Sequence, residues 1–206
     1  MTVKQLKLGF DNFSYVIYCP IKKDAAIVDP SYDFNIALEY IFSKNIKLKY
    51  IILTHHHSDH SSDTRRIKNL YPSLKILASE SDGKKLNFAV DIYIKDGDKL
   101  NVGDVSLEFI LTPGHTLGGI CIIVDKEAIL TGDTLFIGDC GRTDLPGGSF
   151  ELMFKTLQEK IKPLPDNLIV FPGHDYGNKP FDTLGNQKRT NKTLLARNLE
   201  EFSKIP

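Results

Sequence analysis

Four histidines crowd into the stretch Thr54-His55-His56-His57-Ser58-Asp59-His60. The other two, His115 and His174, each follow a Pro-Gly pair. Imidazole is the commonest side-chain ligand for borderline metals such as zinc, so this distribution points to metal chemistry. On an extended loop alternate side chains face one side, which groups His55, His57 and Asp59. The step from Asp59 to His60 then turns the last ring towards a neighbouring position, an arrangement that suits two adjacent metals better than one. A first metal would take His55, His57 and His115. A second would take Asp59, His60 and His174. Asp133 would bridge them, because a carboxylate offers two oxygens. Each metal then keeps a position for a shared water, the mark of a catalytic rather than a structural site. Two divalent cations about 3.5–4 Å apart bring the pKa of such a water near neutrality and yield a hydroxide nucleophile. Asp59 and Asp133 are therefore the expected catalytic carboxylates. Scattered core or surface histidines would not gather so densely with Asp. His56 points the other way along the loop and is expected to support or pack.

These groups need rigid supports, and the hydrophobic pattern supplies them. Val3–Leu8 alternates, and Phe13–Cys19 and Ala25–Val28 are β-rich runs joined by the polar turn Lys22-Lys23-Asp24. Asp33 is placed to cap a helix running to Asn45, with Phe34, Ala37, Leu38, Ile41 and Phe42 at helical spacing. The strand Leu48–Leu53 runs straight into the histidine cluster. A helix facing the core through Ile67 and Leu70 follows, then the strand Leu74–Ala78. Val105–Leu111 ends at Thr112-Pro113-Gly114-His115. A hairpin of Ile120–Val124 and Ala128–Leu130 ends at Gly132-Asp133-Thr134. A Gly- and Asp-rich loop, Gly138 to Gly148, leads to a helix over Phe150–Ile161. Leu168–Phe171 is the last core strand and ends at Gly173-His174. Lys192–Phe202 reads as one closing helix carrying Leu194, Leu195, Leu199 and Phe202. Four apolar strands thus end in turns that present His or Asp, as expected where a scaffold holds functional groups.

Composition narrows the class. Lys and Arg number 26 against 26 Asp and Glu, so the chain offers no bulk attraction to phosphate backbones and is expected to bind neither nucleic acid nor membrane. A hydrophobic content of 41% in 206 residues suits one globular domain spanning 1–206. Cys19, Cys121 and Cys140 are far apart and form no C-x-x-C pair. With no leader-like apolar run, they point to a reducing, cytoplasmic setting.

The residues from Thr54 to His60 match the H-x-H-x-D-H signature of the metallo-β-lactamase superfamily. His115, the Gly-Asp-Thr at 132–134 and the Gly-His at 173–174 match its later motifs in order and spacing. The resemblance covers nearly the whole chain and implies an α/β fold, a four-layer αββα sandwich with the metal site at one edge. It implies the same ligand roles for His55, His57, Asp59, His60, His115, Asp133 and His174. The opening from Asp11-Asn12-Phe13 to Asp29-Pro30 looks like the hydroxyacylglutathione hydrolase (glyoxalase II) group, which hydrolyses thioesters at a binuclear site. The stretch from Gly138 to Asp144 and the tail from Thr183 to Asn191 also look like persulfide dioxygenases. Those use one iron, held by the equivalents of His55 or His57, His115 and Asp133, and act on glutathione persulfide.

The expected function is a metal-dependent hydrolase of a small thioester, with persulfide oxygenation as the runner-up. A lactonase, β-lactamase or nuclease on the same scaffold ranks lower. The expected cofactors are two divalent ions, zinc foremost, since carboxylate and imidazole also accept iron or manganese. Arg142 could pair with a substrate carboxylate, or with Asp144. Tyr176 and Arg189 could form the rim that recognises an anionic thiol conjugate, with Lys188 a solvated neighbour. Cys140 reads as a packed thiol, and Asp175 as a partner for the N–H of a ligand histidine.

Overall fold

The computed structural model describes residues 2–205; Met1 and Pro206, the two ends of the expected domain, lie outside the described residues. Among the described residues, twelve strands form two six-stranded sheets. The first holds β1 (Val3–Leu8), β2 (Asn12–Tyr18), β3 (Asp24–Val28), β4 (Lys47–Ile52), β5 (Lys75–Ser79) and β6 (Ile92–Ile94) in chain order. The second holds β7 (Lys99–Val102), β8 (Val105–Leu111), β9 (Ile120–Val124), β10 (Ala128–Gly132), β11 (Ile169–Pro172) and β12 (Asp182–Thr183). Strands β1 to β3 are antiparallel, and β4, β5 and β6 then add in parallel. The second sheet repeats the scheme, an antiparallel run from β7 to β10 with β11 added in parallel.

Eight helices lie outside the sheets among the described residues: α1 (Asn35–Ser43), α2 (Ser58–Ser61), α3 (Thr64–Leu70), α4 (Glu80–Gly83), α5 (Phe150–Thr156), α6 (Leu184–Thr190), α7 (Lys192–Leu195) and α8 (Leu199–Ser203). A π turn over Leu157–Ile161 extends α5. Period-2 alternation sorts each strand between two layers. Phe13, Tyr15 and Ile17 of β2 face Leu107, Phe109 and Ile122 of the other sheet. Val16, Ile27 and Ile51 face outward against Ala37, Ile41 and Ile67 of the helices. Cys121, Ile129 and Val170 face the opposite way, against Met153, Leu157, Leu194 and Phe202. The result is the four-layer αββα sandwich. Each fully buried large apolar side chain contributes about 1.5–3 kcal/mol of transfer free energy. No helix among the described residues is long and apolar enough to cross a membrane.

Three elements depart from the sequence expectation. Asp33 does not cap α1: it takes a left-handed backbone, φ 53°, and Phe34 stands at the cap position. Phe42 and Leu70 face solvent at 68% and 56% exposure, each near its helix end, where the apolar stripe has rotated off the sheet. The expected closing helix breaks in two. Ala196 and Arg197 interrupt it, and Asn198 restarts it by accepting the N–H of Glu201. The break keeps Leu194 and Phe202 buried and turns Leu195 outward.

Candidate metal centre

The loops following β3, β4, β8, β10 and β11 meet at one edge between the sheets, and every histidine of the chain lies on them except His60, which stands on the short helix α2 that continues the loop after β4. His57 Nδ1 and His115 Nε2 approach to 2.9 Å. His60 Nε2 and His174 Nε2 approach to 3.1 Å. The ligand atoms of His55, His57 and His115 lie within 4.8 Å of one another, as do those of Asp59, His60 and His174. Asp133 stands between the two groups. Its Oδ1 is 3.4 Å from His60 Nε2, and its Oδ2 is 3.5 Å from His115 Nε2 and 3.4 Å from His174 Nε2. The seven residues expected as ligands are therefore brought together.

Close approach of the strands makes this geometry possible. A Cβ at Gly173 would collide with Asp133 Oδ1 and would sit 2.9 Å from His60 Cε1, so this turn has room only for glycine.

The donor set fits cations. His55 Nε2 and Asp133 Oδ1 are buried without a hydrogen-bond partner, a costly state unless another acceptor of their lone pairs is present. Burial, then the neighbouring imidazoles, hold His55 well below its ordinary pKa and His57 down at about 4, so both rings are neutral and free to ligate. Burial would raise Asp59, but the hydrogen bond from His174 and the charge of His60 outweigh it and hold the carboxyl below its usual range. Burial is likewise outweighed at Asp133 by His60 and His174. The same carboxylates lift His174 up to about 10 against its own burial. The ionised Asp59 and Asp133 hold a proton on His174, and divalent cations would supply that positive charge in its place.

Outer hydrogen bonds fix the rings. Asp29 is 3.0 Å from His60 Nδ1 and also accepts the N–H of Thr54 at 2.7 Å. The Arg142 carbonyl accepts from His115 Nδ1 at 2.7 Å. Asn12 donates to the Asp59 carboxylate at 3.3 Å. Asp11 Oδ1 lies 3.3 Å from His174 Nδ1. This last contact corrects the expectation for Asp175, whose carboxylate instead pairs with Lys7 Nζ at 2.6 Å. Asp11 and Asp29 are lone acids in the sequence; only their place in the family-like opening marked them.

The remaining candidates divide. Tyr176 stacks on His174, ring centroids 4.7 Å apart and 8° from parallel. Arg142 forms a bidentate pair with Asp144, both contacts 2.7 Å, and serves the centre through its carbonyl. Arg189 is exposed on α6 and does not line the cleft, so the structure does not place it at the rim. Lys188 beside it pairs with Asp166. Cys140 is packed, and burial, then Asp139, pushes its thiol up to about 12. His56 turns to Asp82, its Nδ1 3.0 Å from the carboxylate.

A cleft of about 1000 Å³ opens at the centre, reached through His115 and Asp133 and walled by Arg142, Tyr176, Phe150 and Phe202. A smaller opening of about 390 Å³ meets the centre at Asp59 and His174, with Tyr176 common to both.

The family model of the metallo-beta-lactamase superfamily matches residues 9–174, which includes every ligand position described above. The chain belongs to the metallo-beta-lactamase superfamily. Within it, the chain is 31% identical over 195 residues to the mitochondrial persulfide dioxygenase ETHE1 of Mus musculus, covering 94% of this chain and 75% of that protein. It is 32% identical over 204 residues to the hydroxyacylglutathione hydrolase of Pelagibacter ubique, covering 98% and 83%. The fold matches the crystal structure of ETHE1 from Myxococcus xanthus with a TM-score of 0.88 at 24% identity, over 100% of this chain and 92% of that one. The superfamily thus includes relatives of both kinds anticipated from the sequence, a hydrolase and a dioxygenase.

Proposed function

We propose that this superfamily member is a binuclear metal-dependent hydrolase of small acyl thioesters, with zinc as the cation assigned first. The observation that carries the reading is the second ligand group. Asp59, His60 and His174 converge as closely as the first three histidines do, and Asp133 reaches both groups. His55, His57 and His115 would hold one cation, Asp59, His60 and His174 the other, with Asp133 shared. Such a pair supplies Lewis acidity and a water activated near neutral pH.

The chain's own residues do the rest. The cleft receives the thiol portion of the substrate, with Tyr176 and Arg142 on its walls. Burial, then the Asp11 carboxylate, pushes the Tyr176 phenol up to about 12, so it stays a hydrogen-bond donor. His56, the one histidine outside the two groups, is engaged with Asp82, which leaves no free imidazole to protonate a leaving group. A thiolate leaves without such help, whereas an amine or alkoxide would have to draw its proton from another group such as the Tyr176 phenol. Three free cysteines accompany this reading with a cytoplasmic setting.

The second reading, iron-dependent oxygenation of a persulfide, is favoured by the mouse relative and needs only the first group with Asp133. One panel separates the two. The zinc-loaded chain should release free thiol from acyl thioesters and consume no oxygen with glutathione persulfide. Oxygen uptake by the iron-loaded chain, with no thioester turnover under either metal, would replace the first reading by the second.

A further inference from the structure

Asp82 lies on α4, outside every motif discussed so far, and is 1% exposed. Its carboxylate is the meeting point of the two loops that carry the first ligand group. Oδ2 accepts the backbone N–H of His56 at 3.0 Å and lies 3.0 Å from His56 Nδ1. The same oxygen accepts the Thr116 hydroxyl at 2.8 Å. Oδ1 accepts the N–H of Gly118 at 2.9 Å. His56 is the chain neighbour of both His55 and His57, and Thr116 is the chain neighbour of His115. All three ligands of the first group therefore sit one residue from an atom that Asp82 holds.

The contact is built closely. A Cβ on Gly118 would collide with Ser79 Oγ and lie 2.6 Å from Asp82 Oδ1, so the loop after His115 comes in against the carboxylate with no side chain between. Ser79 in turn accepts the N–H of Asp82 and fixes the start of α4. The second group has supports apart from Asp82. Asp29 holds His60, Asn12 holds Asp59, and Asp11 holds His174. None of these three contacts passes through Asp82.

The geometry points to Asp82 as a positioning residue that sets the affinity of the first cation site alone, by clamping the His55–His57 loop to the His115 loop. The inference rests on the binuclear reading above. Partners that orient metal-ligating groups act on affinity by about ten- to a hundredfold. A carboxylate is suited to this place because four donor contacts converge on it; an amide of the same shape keeps one acceptor and turns an NH2 group towards donors.

Zinc affinity of the full metal-free chain, read by competition with a chromogenic chelator, tests this. In an Asp59→Ala background, where the first group remains, adding Asp82→Asn should weaken zinc binding about ten- to a hundredfold. In a His57→Ala background, where the second group remains, adding Asp82→Asn should leave the affinity unchanged. Thr116→Val removes one of the four contacts and should give a smaller loss in the Asp59→Ala background, with the circular dichroism of the metal-free chain intact. It carries the test if Asp82→Asn does not fold. Equal losses in both backgrounds, or no loss from either variant in the Asp59→Ala background, would overturn the assignment. If the unsubstituted chain binds no zinc, the metal centre itself fails and the assignment with it, a result distinguishable from zinc bound with normal affinity in every variant.

Discussion

Asp133 brings two oxygens into a space where the Nε2 atoms of three histidines, His60, His115 and His174, already converge, and its turn is so close to the next loop that Gly173 opposite has no room for a Cβ. Its charge, more than its size, sets its role. Asp133→Asn keeps the volume and removes the charge that two cations would share. Since supporting partners of a ligand already cost about ten- to a hundredfold in activity, loss of the shared ligand should cost at least about a hundredfold in thioester turnover. Zinc content measured on the same samples should fall as well. Full turnover with normal zinc would show that Asp133 joins nothing. Asp133 and its six fellow ligands are legible in the sequence because their types cluster and recur at strand ends. Asp11, Asp29 and Asp82 are not, because each is a single acid whose partner lies far along the chain: Asp29 is 31 residues from His60 and Asp82 is 34 from Thr116. No local pattern announces such a contact.

At the level of elements, strands that alternate strictly or run apolar were readable, and those bearing ligands at their ends were among them. The short edge strands β6, β7 and β12 were not, since three, four and two residues are too few to show a period. The break between α7 and α8 had a signal in Asn198, an N-cap type followed three residues later by Glu201. The join of β5 to the segment before β6 makes a separate prediction. Asp91 accepts the N–H of Ile76 at 2.9 Å and pairs with Lys75 and Lys68. The Ile76 N–H, then the two ammonium groups, hold its carboxyl at about 2. A carboxyl depressed in the folded state stabilises above its unfolded pKa and loses that contribution as pH falls through the folded one. The contribution of Asp91 is therefore complete above about pH 4 and disappears towards about pH 2. Urea midpoints of the native chain and of Asp91→Asn should differ above about pH 4 and converge near about pH 2. A gap of constant size across that range would show that Asp91 contributes through contacts unrelated to its charge.

At the scale of the molecule, two sheets of related build, an antiparallel meander with three parallel strands added in one and a single parallel strand in the other, direct their loop ends to one edge, so side chains from most of the chain's length form one centre. The chain has a formal net charge of zero, and the divalent pair would add about four positive charges at that edge. A neutral protein would then present a locally cationic site to an anionic or polarisable substrate while having no bulk pull on nucleic acid. That picture, and the hydrolase reading, depend on two cations rather than one. Anomalous diffraction at the zinc edge from crystals of the reconstituted chain measures this directly. We expect two peaks about 3.5–4 Å apart, one within ligand distance of His55, His57 and His115, the other of Asp59, His60 and His174, with Asp133 touching both. A single peak at the first group, with Asp59, His60 and His174 left hydrogen-bonded among themselves, would contradict the account.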